Sequence, residues 1–273
     1  MQTDQYINTL NAIEKKYETY IIDVAGVIWD GENSYPSSIE TVNRLIEHQK
    51  QIIFLSNSPW PSSHLKKQLI DLGIKNNFYA VSSGDLLHHL LNTILQYTTI
   101  YHLGRNREHS ILKEISIRLT DSIENAQAII VSCFVEGDED KEQFNTDLQI
   151  IARCKKPIYC PNPDIIAQQG TLLRYPSGYF AQKIINYGGS VIHLGKPTQE
   201  IYHFITQKHP YIQINQEKTI MIGDTIETDI CGAINFGIDS VLVLTGITAL
   251  QTNKDLNRIK KYTHQPTYII DSL

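Results

Sequence analysis

The chain has 273 residues, 41% of them hydrophobic and 19% charged, a length that suits a core domain with an insert and a composition that supports a packed interior rather than disorder. Against 29 Asp and Glu stand 24 Lys and Arg, for a formal charge of −5. The basic pairs are scattered, which argues against a nucleic-acid partner, and no apolar run reaches the ~18 residues of a membrane span.

In chain order, Tyr20 to Val24 is the first apolar run and reads as a buried strand carrying Asp23, with Gly26 and Gly31 bracketing a turn after it. Ser38 leads a helix over Ile39 to Gln49, with Ile39, Val42, Leu45 and Ile46 apolar. Gln51 to Leu55 is a second buried strand, and Ser62 to Leu72 a helix that Gly73 stops. Thr99 to Leu103, Ala128 to Ser132 and Pro157 to Cys160 read as strands, with helices over Glu108 to Ile117 and Lys141 to Arg153 between them. A helix over Gly178 to Asn186, a strand over Ser190 to His193 and a helix over Gln199 to Lys208 follow. Last come a strand over Lys218 to Ile222, a helix over Glu227 to Phe236, and strands over Ser240 to Leu244 and Thr267 to Ile270. This alternation predicts an α/β protein, a doubly wound parallel-sheet core with a second α/β sheet inserted into it. The core is expected over 1–80 and 181–273 and the insert over 81–180.

Cys133, Cys154, Cys160 and Cys231 show no CxxC spacing and read as reduced thiols of a cytoplasmic protein without a zinc site. The first residues lack the apolar stretch of a secretory signal.

Ligands of open parallel sheets bind beyond the carboxyl ends of the strands. Four places put reactive residues there: Asp23, Ser56 with Asn57, Lys196, and Asp224. They converge if their strands are neighbours. Two aspartates held together repel, and a hard cation such as Mg²⁺, which prefers oxygen ligands, relieves that repulsion. A lysine balances the charge of a bound phosphoryl group, while a hydroxyl and an amide can donate to its oxygens. One aspartate can attack phosphorus directly. Taken singly, each aspartate could cap a turn, Lys196 could be a surface lysine and Ser56 a helix cap. Together they form an electrostatic cradle for phosphoryl transfer. No glycine-rich nucleotide loop competes with that reading.

Four fragments carry a resemblance: Asp23-Val24-Ala25-Gly26-Val27-Ile28, Phe54-Leu55-Ser56-Asn57, Gly195-Lys196-Pro197, and the run from Gly223-Asp224 to Asp229. Their order and spacing resemble the four motifs of the haloacid dehalogenase-type hydrolases. Asn162-Pro163-Asp164 and Pro176-Ser177-Gly178 resemble the class IIA branch, which holds sugar-phosphate and nitrophenyl-phosphate phosphatases with a large α/β cap. The resemblance runs from Tyr17 to Leu244. It implies a Rossmann-like hydrolase core and a phosphatase-type, Mg²⁺-dependent reaction on a small phosphorylated molecule. It also implies that Asp23, Lys196 and Ser56 are catalytic, and that Ser56, Asn57 and Lys196 hold the substrate. The implied metal ligands are Asp23, the Ala25 carbonyl, Asp224 and Asp229, the last directly or through water.

The chain departs from the family at Ala25, where a second Asp usually protonates the leaving oxygen and then activates water. Losing general acid–base help typically costs ~10²–10⁴ in rate. The expectation is a slow phosphatase or one restricted to good leaving groups such as acyl or aryl phosphates; the alternative is a catalytically impaired phospho-metabolite-binding or regulatory protein on the same scaffold. Asp30 is a candidate replacement acid, although a loop Asp more often caps a turn. A class IIA subgroup with a motif like DVWGV also lacks the acid, and the stretch from Ser56 to Pro61 is similar to it. Phosphonoacetaldehyde hydrolases share the Asp-x-Ala pattern, but no lysine here matches their Schiff-base lysine. Arg174 reads more readily as a surface residue than as a substrate contact, and Trp29 and Trp60 flank the expected site.

Overall fold

The computed structural model describes residues 5–104, 111–113, 115–137 and 139–273. Its strands are β1 (Thr19–Ile22), β2 (Gln51–Ser56), β3 (Tyr79–Ser82), β4 (Thr99–Leu103), β5 (Arg118–Thr120), β6 (Ala128–Val131), β7 (Val135–Glu136), β8 (Ile158–Cys160), β9 (Ala167–Gln169), β10 (Leu172–Tyr175), β11 (Ile192–His193), β12 (Thr219–Gly223), β13 (Asp239–Val243) and β14 (Tyr268–Ile270). The principal helices are α1 (Pro36–Glu47), α2 (Ser62–Asp71), α3 (Ser83–His89), α4 (Asn145–Arg153), α5 (Ser177–Asn186), α6 (Gln199–Lys208) and α7 (Cys231–Phe236). The helix expected over Glu108 to Ile117 lies in part outside the described residues.

Six parallel strands form the first sheet in the order β14-β13-β12-β1-β2-β3. The middles of its strands, such as Ile52–Leu55 of β2 and Ile220–Ile222 of β12, are continuously apolar because both faces are covered. Tyr20 and Ile22 of β1 point into one hydrophobic cluster with Phe54, Ile220 and Val241, while Ile21 points into another with Ile53, Val81 and Met221. Helix α1 buries Val42, Leu45 and Ile46 in the first cluster, and α6 buries Ile201, Phe204 and Ile205 in the second. All the strands between β3 and β12 in sequence belong to two other sheets, so those sheets are inserted into the first.

The larger inserted sheet is parallel, in the order β11-β8-β6-β4-β5. One face carries α4 and α5, whose Leu148 and Phe180 join Val131 and Ile158 of the sheet in one hydrophobic cluster. Residues of its other face, Ile100, Ile130 and Tyr159, join the second cluster of the first sheet, so one apolar core ties the two sheets together. The smaller inserted sheet is antiparallel, β7-β10-β9.

Two departures from the sequence reading bear on the site. The strand expected over Ser190 to His193 exists as β11, but it pairs with β8 at the edge of the inserted sheet and is no neighbour of β1, β2 or β12. Lys196 therefore reaches the first sheet from a loop rather than from one of its strands. The helix expected over Glu227 to Phe236 begins as a π-helical turn, Ile226–Ile230, before continuing as α7. Among the described residues, no helix is long and apolar enough to cross a membrane.

Candidate active site

Strand β1 lies between β2 and β12, with Ile22 in register with Phe54 and Ile222. Asp23 thus leaves the sheet beside Ser56 and Asp224, and its N–H donates to the Ile222 carbonyl at 2.8 Å. The chain must then turn tightly over Asp224. Gly26 makes that possible at φ +76°: a Cβ there would sit 2.5 Å from the Asp224 Cγ. Gly246 closes on the same carboxyl from the segment after β13, and the Ile247 N–H donates to Asp224 Oδ2 at 2.6 Å.

Lys196 is 1% exposed, and its Nζ lies 2.7 Å from Asp23 Oδ1 and 2.7 Å from Asp229 Oδ1. Asp229 is itself 0% exposed, and its Oδ2 accepts from the N–H groups of Asp224 (3.1 Å) and Thr225 (3.0 Å). Asn57 accounts for how Lys196 is held from a loop. Its Oδ1 accepts from the Lys196 N–H at 2.7 Å, and its Nδ2 donates to the Lys196 carbonyl at 3.1 Å. The same Nδ2 donates to Asp164 Oδ1 at 2.8 Å. Gly195 admits this approach, at φ +125°, because a Cβ there would lie 2.5 Å from Asn57 Oδ1. Ser56 Oγ accepts from the Ser58 N–H at 3.2 Å, which leaves its hydroxyl hydrogen for another acceptor.

Asp23, Asp224 and Asp229 each offer a carboxylate oxygen, all within 4.8 Å of one another. Three carboxylates around one ammonium leave an excess of buried negative charge, and the carboxyls respond. Burial and then the Asp229 charge push Asp23 up to about 7; burial, Asp229 and Asp23 raise Asp224 well above the ordinary carboxyl range. Burial alone would lower Lys196, but Asp229, Asp23 and Asp164 outweigh it and hold the ammonium protonated. Oxygen donors with uncompensated charge fit a hard divalent cation such as Mg²⁺.

Beside this cluster lies a cavity of about 640 Å³. Ala25 from the loop after β1 and Ser56 at the end of β2 line it on the side of the first sheet, and Glu136 and Arg174 of the three-stranded sheet line it too. Trp29 and Trp60 both line it. Ala25 presents only a methyl. Asp30 does not line this cavity among the described residues; its Oδ1 caps a turn by accepting from the Glu32 and Asn33 N–H groups, which hold it below the ordinary carboxyl value.

Two family models match the chain, one described as haloacid dehalogenase-like hydrolase over residues 20–118 and one as HAD-hydrolase-like over 193–273. The chain belongs to the haloacid dehalogenase-like hydrolases. A crystal structure of a haloacid dehalogenase-like hydrolase from Brucella suis superposes with a TM-score of 0.84 at 26% identity, covering 98% of this chain and 99% of that one. An acid sugar phosphatase of Staphylococcus haemolyticus is 23% identical, with 95% of each chain covered. A 5'-nucleotidase, YutF, of Bacillus subtilis is 24% identical over 95% of this chain and 97% of its own.

In this haloacid dehalogenase-like chain the sequence places Asp23, Ser56, Asn57, Lys196, Asp224 and Asp229 in the motifs, and the fold brings all six together. The side chain of Asn57 is occupied by Lys196 and Asp164 rather than turned to the cavity. Two residues were undervalued in the sequence. Asp164, singled out only within a stretch resembling the class IIA branch, is a partner of Asn57 and lines the cavity, and burial raises it to about 6. Arg174, read as a surface residue, lines the cavity too. Period-two placement on a strand was the available signal for Arg174, but β10 is four residues long and gave no clear pattern.

Proposed function

We propose that the chain is a Mg²⁺-dependent phosphoric monoester hydrolase that cleaves a small phosphorylated metabolite through an aspartyl-phosphate at Asp23. The observation that carries this reading is Lys196, buried between Asp23 and Asp229 at 2.7 Å from each, beside a cavity with Ser56 on its wall. The names of the full-length relatives, a sugar phosphatase and a nucleotidase, support the phosphatase class.

In this reading an Asp23 oxygen attacks phosphorus and the leaving oxygen departs on the opposite side. The Lys196 ammonium and the Ser56 hydroxyl hold the phosphoryl oxygens as their charge grows. Asn57 serves the same step indirectly, by fixing the Lys196 backbone. Asp23, Asp224 and the Ala25 carbonyl would hold Mg²⁺, with Asp229 acting directly or through water, and the cation would neutralise phosphoryl charge. Water then opens the aspartyl-phosphate and restores Asp23. The inserted sheets form the cap over this chemistry.

With Ala25 on the cavity wall, the leaving oxygen receives no proton from that position. The reaction then favours groups that depart as weakly basic anions, acyl and aryl phosphates above alkyl ones, and runs slowly on the rest. The same methyl favours a second reading, a phospho-metabolite-binding protein without turnover. Phosphate release from a panel of aryl, acyl and sugar phosphates with Mg²⁺ decides between them. Wild-type release that vanishes in Asp23→Asn supports the enzyme. Binding of these compounds with no release above that control would leave only the second reading.

A further inference from the structure

We propose that Arg174 anchors a carboxylate on the substrate, so that the preferred ligand of this site is a phosphate compound whose leaving group carries a carboxylate at the end remote from phosphorus. The inference rests on the phosphatase reading for the identity of the other end, and it concerns the far wall of the same cavity.

Arg174 is on β10, the middle strand of the three-stranded sheet, in register with Glu136 on β7 and Ala167 on β9, and all three residues line the cavity. This cross-strand row lies on inserted chain, whereas Ala25 and Ser56 reach the cavity from the carboxyl ends of β1 and β2 in the first sheet. A ligand whose phosphoryl group sits by Ser56 therefore presents its other end toward the Arg174 row.

The guanidinium carries five N–H donors. Among the described residues it makes no hydrogen bond: its nearest carboxylate oxygen, Glu136 Oε1, is 3.9 Å from Nη2, beyond hydrogen-bonding distance. The Phe134 ring lies 5.4 Å from the guanidinium carbon. That ring favours the positive charge. The side chain is only 26% exposed. A three-quarters-buried arginine with its donors unspent is poorly satisfied by the protein alone, and the cavity is where an acceptor can come from.

The chemistry of the fork selects the acceptor. A guanidinium matches a planar carboxylate with two parallel hydrogen bonds. A second phosphate would match as well, but Glu136 on the adjacent strand would repel a dianion more than a monoanion. Trp29, Trp60 and Phe134 supply apolar wall for the body between the two anionic ends. A planar, carboxylate-bearing aryl or acyl group meets both demands of the site: it departs without a proton from position 25, and it reaches Arg174.

The test uses matched non-hydrolysable ligands, para- and meta-(phosphonomethyl)benzoate and the corresponding benzamides, titrated calorimetrically into the full chain with Mg²⁺. Benzoate and benzamide share size and shape and differ in charge. The expected result is that the better benzoate binds about tenfold or more tightly than its benzamide, that Arg174→Gln brings the ratio within about twofold, and that Arg174→Lys retains part of it. The ratio within each variant is independent of how much protein is active. Equal binding of benzoate and benzamide, binding of neither, or a preference that survives Arg174→Gln overturns the inference. Release of phosphate from 4-nitrophenyl phosphate by the wild type is measured alongside: its absence would fail the phosphatase reading, while the phosphonate ratio still decides Arg174.

Discussion

Without metal, the cluster around Asp23 should make the fold less stable as the pH rises. Asp23 goes from its ordinary 3.8 to about 7 on folding, because burial and Asp229 disfavour its charge. Each pKa unit is worth about 1.4 kcal/mol, so the single group accounts for about 4 kcal/mol at most. A carboxyl raised in the folded state binds its proton more tightly there than in the unfolded chain. Its contribution is complete below 3.8 and is lost as the pH climbs through about 7. Asp164, raised to about 6, and Asp224 act in the same direction. His193 and His209, lowered chiefly by burial, act in the opposite direction, since the stability they contribute is lost as the pH falls. The comparison that isolates Asp23 is therefore wild type against Asp23→Asn, by urea unfolding in EDTA across that window. Wild type should lose up to about 4 kcal/mol relative to the variant between about pH 4 and pH 7.5. Saturating Mg²⁺ should reverse the trend, because the metal needs ionised carboxylates and its binding releases protons. Parallel profiles for the two proteins in EDTA would refute the reasoning.

Ala25→Asp should raise kcat/KM, which stops at formation of the aspartyl-phosphate, by ~10²–10⁴ for alkyl phosphates and far less for acyl phosphates; equal gains on both would show that leaving-group protonation is not what Ala25 lacks. Asn57→Ala strips the Lys196 N–H and carbonyl of partners in the interior. It should cost about 1–3 kcal/mol in urea unfolding and about 10² in kcat/KM, and a variant that loses stability but keeps its rate would remove Asn57 from the positioning of Lys196. Gly26→Ala forces a side chain into left-handed backbone against Asp224, at a cost of about 1–2 kcal/mol from the backbone alone. Calorimetry should show weaker Mg²⁺ binding in that variant, and unchanged affinity would mean Asp224 does not hold the metal.

Much of the site was legible because its residues follow continuous apolar runs. Asp23 after Tyr20 to Ile22, Ser56 after Ile52 to Leu55 and Asp224 after Ile220 to Gly223 are strand ends by pattern alone, and their strands are neighbours. Lys196 was found for a different reason from the one the pattern offered. Its strand belongs to the other sheet, and what delivers it is a side-chain clamp from Asn57, a pairing across 139 positions that no local periodicity encodes. Strand β3 and helix α3 went unread, although Ser82 and Asp85 form a capping box visible as Ser-x-x-Asp. The β7-β10-β9 sheet was unread because its strands run two to four residues, too short for alternation to show, and the cavity's Glu136 and Arg174 were hidden with it.

The replacement at Ala25 separates two kinds of machinery that the family usually combines. The parts that manage charge are all present: Lys196 between two carboxylates, Asp224 held by the Ile247 N–H, and Gly26 and Gly246 making room for it. The part that manages the leaving proton is absent, and Asp30 does not restore it, because its carboxyl is spent on the Glu32 and Asn33 N–H groups and is held in the charged form. A protonated donor at neutral pH would need the opposite environment, buried and free of N–H partners. Keeping the charge machinery while dropping the proton donor disfavours alkyl leaving groups far more than it disfavours phosphoryl binding. Under the proposed phosphatase reading the site therefore discriminates by the basicity of the departing oxygen, and the substrate is to be sought among phosphates whose leaving group needs no acid.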